Sequence, residues 1–204
     1  MDETLVDTGP LWRRAESELL ESLGQTWTAE RAARYKGRNV ADVAAFIHED
    51  GGASGSVADS QAFFRAALFR AFEAGPIHPM PGAVACVRRL GALAPLAVAS
   101  GSPLPLIELA MDRLGVREAF TSLISSESVP RGKPHPDVFL AAAEALGVPP
   151  EGCLVIEDSL AGARAAQAAG MACFVVPSVE VPELASVATR VFRGLDDIGT
   201  KPGW

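Results

Sequence analysis

The apolar positions of this chain change their period once, near residue 80. Before that point they recur at helical spacing. Trp12, Ala15, Leu19, Leu20 and Leu23 share one face of a first helix, with Thr8 or Asp7 as its cap, Pro10 in its first turn and Gly24 beyond its end. Thr28 to Tyr35 predicts a second helix, and Val40, Val43, Ala44 and Ile47 predict a third, separated by Lys36-Gly37-Arg38-Asn39. Gly51 to Ser56 is a loop by composition. Phe63, Ala67, Leu68 and Phe72 mark a fourth helix over Val57 to Ala74, and Gly75 to Gly82 reads as a linker.

Beyond the linker, helices alternate with short apolar runs, the pattern of a parallel α/β sheet. Helices are expected over 83–90, 103–114, 137–146 and 159–169. The runs 96–99, 123–124, 153–156, 172–176 and, more weakly, 190–192 read as strands. The fold class that follows is α/β, a Rossmann-like parallel core with an inserted all-helical module. Its boundaries are 1–8 and 80–204 for the discontinuous core and 9–79 for the insert.

Composition narrows the partners. With 204 residues, 49% of them hydrophobic, the chain can bury one substantial core. A net charge of -7 argues against a general nucleic-acid binder, which needs clustered Lys and Arg. No apolar run reaches membrane-spanning length, and Met1-Asp2-Glu3-Thr4 lacks the basic start of a signal peptide. The widely spaced Cys86, Cys153 and Cys173 read as reduced and structural. A cytoplasmic protein acting on a small solute, as a monomer or weak dimer, is the expectation.

Three stretches carry candidate chemistry. Strand 153–156 ends abruptly in Glu157-Asp158 ahead of a helix, the place where open α/β sheets put their ligands. Adjacent carboxylates repel unless a cation neutralises them, and Mg²⁺ is the natural hard cation; alternatively Asp158 simply caps the helix. Ser100-Gly101-Ser102 ends another strand before a helix, where a hydroxyl and free amides can hold an anion, or where Ser merely caps. Lys133 stands in Arg131-Gly132-Lys133-Pro134-His135-Pro136, whose prolines restrict the backbone more than a solvated lysine requires.

Taken in order, Asp2-x-Thr4, strand-Ser100-Gly101, Gly132-Lys133-Pro134-His135-Pro136 and strand-Glu157-Asp158-Ser159-x-x-Gly162 resemble the four motifs of the haloacid dehalogenase-like superfamily. The insert then occupies the position of that family's helical cap. Thr8 to Trp12, Ser100 to Pro103 and Gly132 to Pro136 look most like the sugar-phosphate and hexitol-phosphate phosphatases related to β-phosphoglucomutase. In the family's first motif, Asp-x-Asp-Gly-Thr, Asp2 matches the second Asp and Thr4 the threonine. The nucleophilic Asp and the central strand that carries it would precede Met1. Glu3 stands for the usual Gly, and Gly9 where this subgroup often has Glu.

The resemblance implies a Mg²⁺-dependent phosphomonoesterase that proceeds through an aspartyl-phosphate. Asp2 would be general acid and base, and Ser100 and Lys133 would hold the phosphoryl oxygens, with Thr4 and Gly101 beside them. Asp2 (through its carbonyl), Glu157 and Asp158 would contact the metal. Lys36 and Arg38 would read the leaving group from the cap. Trp12 stands near the position of the mutases' histidine, which favours hydrolysis. Two explanations of the missing nucleophile compete: an internally assigned start, or a non-catalytic relative that binds a phosphorylated ligand without cleaving it.

Overall fold

The computed structural model describes residues 1–178 and 181–199. Helical periodicity before residue 75 becomes α1 (Gly9–Ser22), α2 (Ala29–Ala33), α3 (Val40–Asp50) and α4 (Val57–Ala74). The last three begin at residues whose side chains accept a backbone N–H: Thr28 from Arg31, Asn39 from Asp42 and Ser56 from Asp59. Thr8, at the start of α1, makes no such bond because its hydroxyl donates to Asp2 instead. On α4 the inward aromatic near the start is Phe64, not the expected Phe63, which is 39% exposed. One residue of helix is a rotation of about 100°, so Phe64, Ala67, Leu68, Ala71 and Phe72 form the buried stripe.

The linker contains β2 (His78–Pro79), which pairs antiparallel with β1 (Val6–Asp7). This ribbon ties together the points where the chain enters and leaves the helical block. It is too short for alternation to reveal it in the sequence.

The remaining elements are α5 (Ala83–Gly91), β3 (Leu96–Ser100), α6 (Leu104–Arg113), β4 (Phe120–Ser125), α7 (Asp137–Leu146), β5 (Leu154–Glu157), α8 (Leu160–Ala168), β6 (Ala172–Val175), α9 (Leu184–Val187) and β7 (Arg190–Val191). All strand pairs in this half are parallel, but they form two sheets, β3–β4 and β5–β6–β7. Among the described residues no strand pairs with the facing edges of β3 and β5. A cleft of about 300 Å³ lies between those edges, lined by Leu96 to Ala99 on one side and Leu154 to Ile156 on the other. Val87 and Phe139 line it from α5 and α7, and Met1 stands in its wall.

One apolar cluster runs from Leu20, Ile47 and Phe72 in the helical block through Val98 of β3 to Ile107 and Met111 of α6. A second surrounds β5, β6, α7 and α8. The three cysteines are free, and burial pushes the Cys173 thiol up to about 12, which keeps it protonated and inert. No helix among the described residues is long and apolar enough to cross a membrane.

The seam between α1 and α4 gives a direct test of the packing. Phe64 is fully buried with its ring 5.9 Å from that of Trp12. Replacing it by Ala should cost about 3–5 kcal/mol, read as a lower urea midpoint at unchanged slope. A cost below about 1 kcal/mol would show that the helical block does not rest on this contact.

Candidate active site

The carboxyl ends of β3 and β5 open onto a cavity of about 380 Å³ beneath α1, α2 and the turn 36–38. Asp2 stands at its floor with four donors on its carboxylate. Thr8 Oγ1 donates to Oδ1 at 2.9 Å and Trp12 Nε1 to the same atom at 3.0 Å. Ser100 Oγ and Ser102 Oγ donate to Oδ2 at 3.0 and 2.8 Å. Ser100 thus donates to a carboxylate of the chain itself. Thr8 reads in the sequence as a helix cap and Ser102 as part of the anion-holding or capping stretch 100–102, and their convergence on Asp2 follows from chain folding that no local pattern reports.

Behind this floor Lys133, only 6% exposed, forms an ion pair with Glu157 Oε1. Its ammonium also donates to the Ala99 carbonyl of β3 at 3.3 Å and lies 4.7 Å from the Phe139 ring centroid. The other oxygen of Glu157 accepts from Ser159 Oγ at 3.0 Å and from the backbone N–H groups of Asp158 and Ser159 at 3.1 and 3.3 Å. Burial alone would raise the pKa of Glu157. The Lys133 charge and these hydrogen bonds overcome it and hold the carboxyl at about 2.

Its neighbour behaves oppositely. Burial first, then the Glu157 charge, pushes the Asp158 carboxyl up to about 6. Asp158 Oδ1 accepts from Thr4 Oγ1 at 3.0 Å, whereas Oδ2 is buried without a hydrogen bond and faces Lys36 Nζ at 3.3 Å. The cap of α8 is Ser159, which accepts from Gly162 N at 3.0 Å, so Asp158 does not cap. A Cβ at position 162 would collide with the Glu157 carboxylate, so glycine there lets α8 approach the site.

The two adjacent acids therefore have different partners. Glu157, expected to touch a metal, has both oxygens engaged by Lys133, Ser159 and backbone amides. Among the described residues no three His, Cys, Asp or Glu side chains form a group that could hold an ion. The oxygens that suit a hard cation are Asp158 Oδ2, which faces the Lys36 ammonium, and the Asp2 carbonyl, since the Thr4 hydroxyl lies 3.0 Å from Asp158 Oδ1 and 3.4 Å from that carbonyl. The nearby ammonium of Lys36 shows that positive charge is accommodated there. The α-amino group of Met1 is also buried, and its pKa is lowered from the ordinary value first by burial and then by Lys133.

The turn 36–38 closes over these groups. Gly37, at φ +82°, packs so that a Cβ would lie 2.8 Å from Ser159 Oγ, and a Cβ on Gly101 would lie 2.9 Å from the Arg38 carbonyl oxygen. Lys36 donates to Ser178 Oγ at 3.0 Å, and both Lys36 and Arg38 line the cavity with Asp2, Gly101 and Lys133. Thr4 reaches the site from the cleft side through its bond to Asp158.

The raised pKa of Asp158 has a sign that can be checked. A carboxyl that titrates near 6 folded and near the usual 3.9 unfolded favours the fold while protonated, and that contribution is lost as pH rises from about 4 to about 6. Asp158→Asn should therefore raise Tm at pH 7 in metal-free buffer by several degrees, with the gain vanishing near pH 4. A lower Tm at pH 7 would mean that the ion pair with Lys36 outweighs the repulsion from Glu157.

Three comparisons with known proteins place the chain among its relatives. A family model described as haloacid dehalogenase-like hydrolase matches residues 1–170. Hexitol phosphatase B of Escherichia coli is 35% identical over 185 residues, covering 88% of this chain and 82% of that protein. Fructose-1-phosphate phosphatase YqaB of Escherichia coli is 32% identical over 173 residues, covering 84% and 90%. Among solved structures, CbbY from Rhodobacter sphaeroides in complex with phosphate superposes with a TM-score of 0.81 at 29% identity, covering 98% of this chain and 93% of that one. The β-phosphoglucomutase of Clostridium difficile shares the fold, with a TM-score of 0.85 at 21% identity over 98% of this chain and 90% of that one. The chain belongs to the haloacid dehalogenase-like hydrolases, with that family's Rossmann-like α/β fold.

Proposed function

We propose that the protein is a Mg²⁺-dependent phosphatase of small phosphomonoesters, a sugar or hexitol phosphate above all. The observation that carries this reading is the meeting, in one cavity, of an acid (Asp2), a hydroxyl and an ammonium suited to an anion (Ser100 and Lys133) and a buried carboxylate that already faces a cation (Asp158, beside Lys36). The relatives named as hexitol and fructose-1-phosphate phosphatases support the substrate class. Residues 9–79 serve as the cap over a discontinuous core, and the enzyme works in the cytoplasm as a monomer or weak dimer.

In this mechanism the nucleophile is an aspartate carried by a strand upstream of Met1. That strand would lie in the cleft between β3 and β5, where it would pair both open edges. A peptide bond at the Met1 nitrogen would also remove the buried amine. Its carboxylate attacks phosphorus to form an acyl phosphate, and the departing alkoxide takes a proton from Asp2. Asp2, held by Thr8 and Trp12, then accepts a proton from water. That water attacks phosphorus, releases phosphate and restores the carboxylate. Ser100 and Lys133 hold the equatorial oxygens, where charge is spread in the transition state. Asp158 and the Asp2 carbonyl would hold Mg²⁺, which supplies positive charge at the phosphoryl group. Glu157 acts behind them by fixing Lys133.

Two measurements test this reading. The 204-residue chain should release no phosphate from an aryl phosphate above background. A version extended by its gene's own upstream codons should turn over with Mg²⁺. Equal rates from both would remove the upstream nucleophile. Phospholigand binding by the extended version without turnover would replace the enzyme by a binding protein.

In the same extended version, replacing Lys36 and Arg38 by Ala should lower kcat/KM at least tenfold for a sugar phosphate, about 1.4 kcal/mol of transition-state binding, with little change for an aryl phosphate. An equal loss on both would assign these residues to phosphate and metal, the end of the cavity at which Lys36 lies.

A further inference from the structure

The two oxygens of Asp2 are held by donors that differ in whether they can let go. On Oδ2 both donors are hydroxyls at the end of β3 and just beyond it, Ser100 and Ser102. A hydroxyl hydrogen rotates about its C–O bond, so it can turn to another acceptor while its side chain stays in place. On Oδ1 the donors are Thr8 Oγ1 and Trp12 Nε1, whose spacing of four residues at the start of α1 puts both on one face of the helix. The indole N–H lies in the plane of its ring and can only donate. That ring is half-buried, lines the cavity, and has its centroid 5.9 Å from that of Phe64 on α4. Turning the N–H away from Asp2 would take the whole indole from its place against Phe64.

We propose that Trp12 is the positioning residue of the acid: its indole pins Oδ1 of Asp2, so that Oδ2 is the oxygen that exchanges a proton with the leaving group. This rests on the phosphomonoesterase reading and deepens it. In that reading Ser100 holds a phosphoryl oxygen, so an arriving phosphate draws its hydroxyl off Asp2 and opens a lone-pair position on Oδ2. Oδ1 keeps the indole N–H throughout. As the bond from phosphorus to the leaving oxygen breaks and the bond from phosphorus to the nucleophilic carboxylate forms, the proton on Oδ2 passes to the departing oxygen. Asp2 is left as a carboxylate still oriented by Trp12 and Thr8. Without the indole, Oδ1 retains only a rotating hydroxyl, and the carboxyl group can turn about its Cβ–Cγ bond and present either oxygen at poorer geometry. Misplacing a reacting group by about 1 Å can cost on the order of a hundredfold in rate. That loss falls on leaving groups that need a proton as they depart, and spares those stable as anions. Since the indole rests on Phe64, the helical block sets the direction of the acid as well as roofing the cavity.

The test is a series of substituted phenyl phosphates, alike in shape and different in leaving-group basicity, turned over by the extended version. The ratio kcat/KM counts only the steps up to departure of the leaving group, so it isolates the acid. Trp12→Phe, which removes the N–H and keeps a ring against Phe64, should lower kcat/KM about tenfold for phenyl phosphate and at most about twofold for 4-nitrophenyl phosphate. Inhibition by inorganic phosphate should be unchanged, because Ser100 and Lys133 remain. Replacing Trp12 by 3-benzothienylalanine, which puts a sulfur where the N–H stood and keeps the size of the indole, should give the same slope and so separates the hydrogen bond from the fit of the ring. Equal losses across the series, or none, would overturn the positioning role and leave the phosphatase reading standing. No turnover of any ester by the unsubstituted extended version would overturn both. In the 204-residue chain, where no turnover is needed, the Trp12 indole N–H should exchange slowly with water by NMR, both with and without saturating inorganic phosphate. Fast exchange in either state would show that Oδ1 is not pinned and would overturn the assignment.

Discussion

The Lys133–Glu157 ion pair is the contact on which the rest of the site depends, because it joins two sheets that share no strand. The ammonium donates to the Ala99 carbonyl on β3 and pairs with Glu157 at the end of β5, so one side chain spans the cleft. Burying such a pair gains little against an apolar alternative, but breaking it leaves an unpaired buried charge at a cost of about 3–5 kcal/mol. Its presence is therefore better explained by position than by stability. With Glu157 held by Ser159 and two backbone amides, Lys133 is fixed in the wall of the cavity that Asp2 also lines. Gly162 permits this by letting α8 reach the Glu157 carboxylate.

The first nine residues show what the same region requires of its backbone. Glu3 adopts φ +55°, a left-handed conformation that costs a non-glycine residue about 1–2 kcal/mol. Its carboxylate accepts from Gly9 N at 2.7 Å, which offsets part of that cost and fixes the start of α1. A Cβ at Gly9 would lie 3.2 Å from the Glu3 carboxylate, so a larger residue there would press on this bond. The two departures from the family's usual residues, Glu3 and Gly9, are thus structurally paired, each making room for the other.

Much of this was legible in the chain. The change of period near residue 80 separated helical block from α/β half, and the element from 137 to 146 matched α7 residue for residue. Ser100 and the acid pair stand out in the sequence because each ends an apolar run, Lys133 because a Gly and a Pro flank it, and Asp2 only through its spacing to Thr4. Other features left no such mark. The two-residue ribbon of β1 and β2 is shorter than any period. Phe63 and Phe64 are adjacent, and only packing against Trp12 decides which turns inward. Glu16 reads as an ordinary polar residue on an amphipathic helix, and its burial appears only when Trp27 and Tyr35 are brought over it. The different partners of Glu157 and Asp158 are likewise tertiary, since neighbouring carboxylates look alike in sequence and differ here by which faces Lys133.

The division of labour between core and helical block constrains how a ligand gets in. The apolar cluster that fills the block continues through Val98 into Ile107 and Met111 of α6, so swinging the whole block away would expose shared core at about 25 cal/mol for each Å² uncovered. Lifting the turn 36–38 separates far less. It would break the Gly37–Ser159 and Gly101–Arg38 approaches and the Lys36 contacts to Asp158 and Ser178, with Lys36 already 39% exposed at its side chain. The Lys36–Asp158 pair is not a surface pair, since the Asp158 side chain is only 6% exposed, so it holds the turn more firmly than a solvated pair would. The turn carries the Lys36 ammonium to Asp158 and lines the cavity above Asp2. The turn is also tied to the helical block on its N-terminal side, because Arg38 N donates to the carbonyl of Tyr35 at 3.2 Å and Tyr35 is itself buried, so the residues that approach Ser159 and Gly101 are held from both the block and the core.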